Sequence, residues 1–306
     1  MINTFLTLTR ETIYFLKLKT KRINMNSKTN RPIGVFDSGI GGLTVVRSLM
    51  ERLPFENIVY FGDTARVPYG IKSVDTINRY AAQITDFLIK KDVKLLIVAC
   101  NTMAAVAHQT IIDCSHVTVA AVAYEKIVEQ IPVLEVIDAS ARLAIQTTKS
   151  KSIGVIGTPA TINSNAYARA IHLLDKETKV FSQACPLFVP LVEEGWFDHP
   201  ATKLIAQEYL KSVIAEHIDT LVLGCTHYPL LKPLLQDIMG KDVRLIDSAE
   251  AMADIATDLI HKQNISNKDE SLPEYIFYVS DLPYRFQTIG ERFLGRTFSR
   301  VELVSL

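Results

Sequence analysis

The chain constrains its own fold by repeating itself. Leu95-Leu96-Ile97-Val98-Ala99-Cys100-Asn101-Thr102 and Thr220-Leu221-Val222-Leu223-Gly224-Cys225-Thr226-His227 each put a cysteine where an apolar run stops and a polar turn begins. Ahead of each lies another matched segment, Ile33-Gly34-Val35-Phe36-Asp37-Ser38 and Ile153-Gly154-Val155-Ile156-Gly157-Thr158. Gly34 and Cys100 are 66 positions apart, Gly154 and Cys225 71. Such spacing describes a degenerate internal duplication of two α/β units. Ligands of open parallel sheets bind beyond the carboxyl ends of the strands, so one cleft with a sulfur on either side is expected. The expected fold class is α/β: two similar domains related by a pseudo-twofold, each a mainly parallel sheet flanked by helices, with the active site in the cleft between them.

Alternation of strand and helix runs along the chain. Ile33 to Phe36 reads as a buried strand, followed by a glycine turn and a helix on which Leu43, Val46, Leu49 and Met50 recur at helical spacing. A strand follows at Ile58 to Phe61, and Ser73 is an N-cap for a helix whose Val74, Ile77, Ala81, Ile84 and Leu88 share a face. The second half repeats the pattern with a strand at Ile153 to Ile156 and a helix from about Asn163 to Leu174. A later helix groups Leu204, Leu210, Val213, Ile214 and His217 on one face and leads into the strand that ends at Cys225. A tail strand at Tyr275 to Val279 precedes a docking helix carrying Phe286, Phe293 and Leu294 and closed by Gly295. Pro132 and Pro233 bracket the second unit. The expected domains are therefore 31–128 with 238–306, and 129–237, behind an N-terminal extension at 1–30. That extension lacks glycine, proline and an uninterrupted apolar core, so it does not read as an export signal. Met25 can itself serve as an initiator, and every motif lies beyond the extension, which is expected to be dispensable for chemistry.

Lysine plus arginine equals aspartate plus glutamate at 33 each, so the electrostatic footprint of a nucleic-acid binder is missing and a small polar partner is expected. The cysteines, Cys100, Cys114, Cys185 and Cys225, show no staple-like spacing. Free thiols in a reducing compartment, hence a cytoplasmic enzyme, are the expectation. No apolar run approaches the ~20 residues of a membrane span.

Asp37-Ser38-Gly39-Ile40-Gly41-Gly42 after a strand is the kind of turn that cradles an anion or simply reverses the chain. It fails both nucleotide templates: the dinucleotide pattern needs glycine where Thr44 stands, and the P-loop needs lysine where Ile40 stands. Cys100 and Cys225 taken singly fit small buried hydrophobes. As a pair at duplicated strand ends they suit two opposed proton carriers. Asn101-Thr102 and Thr226-His227 add hydroxyl and amide donors for a carboxylate, and His227 can place positive charge beside the Cys225 sulfur. A zinc site at Cys100, Cys225 and His227 would want close Cys-x-x-Cys or His-x-x-x-His spacing, which does not occur. No metal is expected. Glu193 and Glu194 follow the run from Cys185 to Val192 and read either as chemistry or as a solvated loop pair.

Taken together the motifs resemble the glutamate racemases. Those carrying the likeness are Phe36-Asp37-Ser38-Gly39-Ile40-Gly41-Gly42, Pro68-Tyr69-Gly70, Ala99-Cys100-Asn101-Thr102, Cys185-Pro186-Leu187-Phe188-Val189-Pro190-Leu191-Val192-Glu193, Gly224-Cys225-Thr226-His227-Tyr228-Pro229-Leu230-Leu231 and Phe293-Leu294-Gly295, in family order from about residue 31 to 295. The resemblance implies interconversion of L- and D-glutamate without cofactor, supplying D-glutamate for peptidoglycan. By the same match Cys100 and Cys225 are the acid/base thiols, assisted by Asp37, Glu193 and His227. Substrate would be held by Asp37, Ser38, Tyr69, Gly70, Asn101, Thr102, Thr158, Thr161, Thr226 and His227. A homodimer and regulation by a cell-wall precursor also belong to the family's range. Two readings stay open beside it: an aspartate racemase of the same design with a shorter substrate, and a non-catalytic module that closes over an amino acid or a protein.

Overall fold

The computed structural model describes residues 28–122, 125–269, 272–298 and 300–306. Residues 1–27 of the expected extension lie outside that range. Strand β1 (Ile33–Asp37) is buried at every position and runs through the glycine turn into α1 (Leu43–Arg52), followed by β2 (Ile58–Gly62). Helix α2 (Val74–Lys90) starts where Ser73 accepts the Thr76 amide and buries Ile77, Ala81, Ile84, Thr85 and Leu88. Such a cap is worth about 1 kcal/mol, and each fully buried large aliphatic roughly 1.5–3 kcal/mol. Then come β3 (Leu95–Val98), α3 (Asn101–Val106), α4 (His108–Cys114), β4 (His116–Val122), β5 (Glu125–Gln130) and β6 (Val133–Glu135).

The second half contains α5 (Val136–Thr147), β7 (Ser152–Gly157), α6 (Pro159–Asn163), α7 (Ala166–Leu174), β8 (Lys179–Ala184), α8 (Phe188–Glu193), α9 (Pro200–Ala215) and β9 (Thr220–Gly224). It continues with α10 (Lys232–Met239), β10 (Arg244–Asp247) and α11 (Ser248–Lys262). The tail is β11 (Tyr275–Val279), α12 (Pro283–Leu294) and β12 (Val301–Leu303).

Two parallel sheets form, with strand orders β12-β11-β2-β1-β3-β6 and β10-β9-β7-β8, beside an antiparallel β4-β5 pair. The duplication is visible in their layout. In the larger sheet β1 sits between β2 and the strand leading to Cys100; in the smaller, β7 sits between β8 and the strand leading to Cys225. Registers pair Gly34 with Leu96 and Gly154 with Leu221, so Cys100 and Cys225 emerge beyond matching strand ends.

Three expectations change. Strand membership does not follow limits at 129 and 237: β6 pairs with β3 in the first sheet, and β10 with β9 in the second. The helix expected from about 163 to 174 forms as α7 and starts at Ala166, because Asn165 takes a left-handed φ of 55° and separates it from the short α6 that precedes it. On α9 the buried residues are Thr202, Ala206, Leu210 and Val213, while Leu204 and Ile214 are 67% and 41% exposed. Small side chains let this helix lie close to its neighbours β8 and α10, and His217 lies past its end at a φ of 50°. The docking helix forms as expected, with Phe286, Gly290, Phe293 and Leu294 buried and Gly295 left-handed at its end.

Candidate active site

The carboxyl ends of β1, β3, β7 and β9 converge on one cavity of about 380 Å³. Cys100 and Cys225 both line it, with Ser38, Tyr69, Gly70, Asn101, Thr102, Thr158, Glu193, Thr226 and His227. Asp37 and Thr161 stand behind that wall. Asp37 points its Oδ2 back into the glycine turn, where the Gly39 and Gly42 amides donate to it at 3.1 Å each. The turn's anion-binding capacity is thus taken by the chain's own carboxylate. Thr161 is buried beneath Thr158, whose hydroxyl lies 3.0 Å from those of Thr161 and Thr102.

Glycine is required at Gly41 for close approach. A Cβ there would stand 2.2 Å from Thr226 Oγ1 and 2.5 Å from His227 Nδ1. The first half's turn therefore lies directly against the second half's thiol loop. Thr44 seals the contact, donating to the Gly41 carbonyl at 2.9 Å and lying 3.3 Å from that of Thr226.

The thiols have different surroundings. Cys100 Sγ is 3.5 Å from Ser38 Oγ, and burial followed by the nearby Asp37 charge pushes its pKa up to about 12, so it keeps its proton at neutral pH. Cys225 Sγ is 3.9 Å from His227 Nδ1, and His227 Nε2 is 3.1 Å from Glu193 Oε1. Burial alone would lower the His227 pKa, but bonding to Cys225 and Glu193 outweighs it and raises the value to about 10. The ring is an imidazolium at neutral pH. Burial works to raise the Glu193 carboxyl, and the His227 partner overcomes it and holds the group below its usual range. Phe293, on the docking helix, meets the imidazole edge-on with centroids 5.2 Å apart.

Tyr69 is anchored by its hydroxyl to Asp63, a fully buried carboxylate that also accepts from Arg66 Nε at 2.6 Å and Ser280 Oγ at 2.7 Å. Asn101 accepts at Oδ1 from the Tyr167 hydroxyl at 2.6 Å. Among the described residues no group of three or more His, Cys, Asp or Glu is arranged to hold a metal ion. Val67 and Val189 also wall the cavity, and Thr44 and Tyr167 brace it from behind, roles that the motifs do not assign to them. Thr44 falls within the helical turn after Gly41 and was within reach of a local reading; Tyr167 acts over 66 residues of separation with no local signal.

Two parallel sheets whose strand ends close one cavity around a pair of thiols, one of them beside an imidazolium, are the plan of an amino-acid isomerase. Residues 33–256 match the family model described as Asp/Glu/Hydantoin racemase, and the chain belongs to that family. It is similar to the glutamate racemase of Syntrophus aciditrophicus, 65% identical over 284 residues that cover 93% of this chain and 100% of that protein. A crystal structure of the Francisella tularensis glutamate racemase in complex with D-glutamate superposes with a TM-score of 0.82 at 44% identity, covering 90% of this chain and 98% of the other. The Escherichia coli glutamate racemase, in complex with L-glutamate and the activator UDP-MurNAc-Ala, superposes with a TM-score of 0.68 at 26% identity, covering 90% of this chain and 98% of the other.

Proposed function

We infer that the protein interconverts L- and D-glutamate by two-base proton transfer, with no cofactor, and so provides D-glutamate for peptidoglycan. The observation that carries this reading is the pair of buried thiols, Cys100 and Cys225, lining one cavity from two different sheets. Inverting a stereocentre at carbon needs removal of hydrogen from one face and delivery to the other. Two carriers in opposite protonation states supply that.

In the L-to-D direction the Cys225 thiolate, beside the His227 cation, takes the α-proton as the electron pair of that bond passes to the α-carbon. Cys100, which holds its proton, delivers it to the opposite face and is left as thiolate. The D-to-L direction runs the same steps in reverse, and solvent exchange resets the pair. Asn101, Thr102, Thr158 and Thr226 give donors for the carboxylates, and exclusion of water strengthens each of these interactions. Glu193 assists through His227, which it touches, while Asp37, held by the Gly39 and Gly42 amides, acts through its charge on both Cys100 and His227.

The relatives' names favour glutamate over aspartate, and the thiols at matched strand ends favour an enzyme over a binding module. A homodimer, a cell-wall precursor as regulator and a cytoplasmic location accompany this reading; no described helix is long and apolar enough to cross a membrane. The domains are proposed to follow the two sheets. The test is α-hydrogen exchange in deuterated water with purified protein and no added cofactor. Exchange and inversion of L-glutamate in preference to L-aspartate is the expected result; exchange of aspartate alone, or of neither, would overturn it.

A further inference from the structure

Asn101 follows Cys100 directly, lines the cavity and is only 3% exposed. A primary amide has two unlike ends, an acceptor oxygen and a donor nitrogen. The Tyr167 hydroxyl donates to its oxygen at 2.6 Å, while the nitrogen Nδ2 is buried without a partner in the protein. Tyr167 does not line the cavity. It reaches Asn101 from α7, in the other half of the chain, and passes so close to Gly224 that a Cβ there would stand 2.9 Å from its ring. One side chain thus touches the residue after the first thiol and the residue before the second.

We propose that Tyr167 is a positioning residue that fixes the Asn101 amide with its donor end free for a substrate carboxylate. Rotating the amide by half a turn would exchange the ends. Oxygen lone pairs would then meet the carboxylate, and repulsion would replace a charge-assisted hydrogen bond. With the Asn101 oxygen held by Tyr167, the reversed amide is disfavoured before substrate arrives, and binding does not have to order it. This inference rests on the glutamate reading for its ligand but adds a residue that does not line the cavity.

Tyr167→Phe keeps the ring against Gly224 and removes only the hydroxyl. We expect KM for L- and D-glutamate to rise about tenfold, with kcat changed by less than about threefold, because the thiols are untouched. In an Asn101→Ala background the same substitution should do nothing further, as expected of two residues acting through one contact. Calorimetric titration of glutamate into the Cys100→Ser/Cys225→Ser double variant, with and without Tyr167→Phe, reads the same loss without turnover. An unchanged KM, a loss confined to kcat, or effects that add in the Asn101→Ala background would each overturn the role. A parent protein that neither inverts nor binds glutamate would instead overturn the functional reading itself.

Discussion

The two thiol arms are built on the same strand plan and differ in charge. On the first, Cys100 has a neutral hydroxyl for its neighbour and the Asp37 carboxylate nearby, and it retains its proton. On the second, Cys225 faces an imidazolium that Glu193 holds in place. Duplication supplies two sulfurs in equivalent places; their neighbours set a hydroxyl and a carboxylate beside Cys100 and an imidazolium beside Cys225. A reaction that must treat two faces of one carbon differently needs that inequality at each turnover.

Removing either sulfur breaks the comparison most severely. Cys100→Ser or Cys225→Ser should reduce racemisation in both directions by about 10³-fold or more, within the range of a positioned acid/base group. Each should retain partial solvent exchange, or elimination from a substrate bearing a leaving group, with one enantiomer. The sulfur that remains decides which: Cys225 with L-glutamate, Cys100 with D-glutamate. Mutants that favour the same enantiomer, or either one turning over at the parent rate, would falsify the opposed two-thiol scheme.

His227→Asn removes the cation from one arm only, so a loss of about 10²-fold is expected, larger in kcat than in KM. Progress curves from each enantiomer, set beside those of a distant variant such as His172→Asn, measure it. The same residue gives a pH signature in stability. Its folded pKa is raised from 6.5 to about 10, so the contribution of the charged pair is complete below about pH 6.5 and is lost as the pH rises through about 10. Thermal midpoints of the parent should fall across that window, and those of His227→Asn should lack this component. Glu193→Gln removes one of the two groups that hold the proton. Turnover should drop about tenfold and its alkaline limb move to lower pH; a limb that stays in place would detach Glu193 from His227.

The smallest effects are expected furthest from the arms. Chelation should leave turnover unchanged, and recovery of a lost activity by zinc would turn the thiols into ligands. A chain beginning at Met25 should racemise at the parent rate, since it keeps Thr29, whose carbonyl accepts the buried Lys94 ammonium at 2.6 Å. Folded but inactive protein would contradict that.

Much of the site was legible because its parts are local. A strand end, a cysteine and the polar turn behind it lie within eight residues, as do Asp37 and the amides it accepts from. The strands beginning at Ile33, Ile58, Ile153 and Tyr275 could be read for the same reason. What escaped depends on distance or on backbone detail. The partners of β6 and β10 are settled by sheet pairing rather than by the prolines near them. Asn165 is an ordinary residue in sequence, yet its left-handed turn sets the start of α7 and parts it from the short α6 before it. The buried face of α9 does not follow its large apolar residues, since Leu204 and Ile214 stand outward while Thr202 and Ala206 face in. Thr161 and Asp37 share motifs with the lining residues, and their positions behind the wall follow from packing that no spacing records.

The carboxylate of Asp37, seated on the Gly39 and Gly42 amides, has a consequence for selectivity. Being tethered to the strand it caps, it competes for those amides at the effective concentration of an intramolecular ligand, of order millimolar or above. A free phosphate ester would have to displace it and leave a buried carboxylate unpaired, which costs far more than the exchange returns. Nucleotides and sugar phosphates are thereby excluded from this turn by a competitor that never diffuses away.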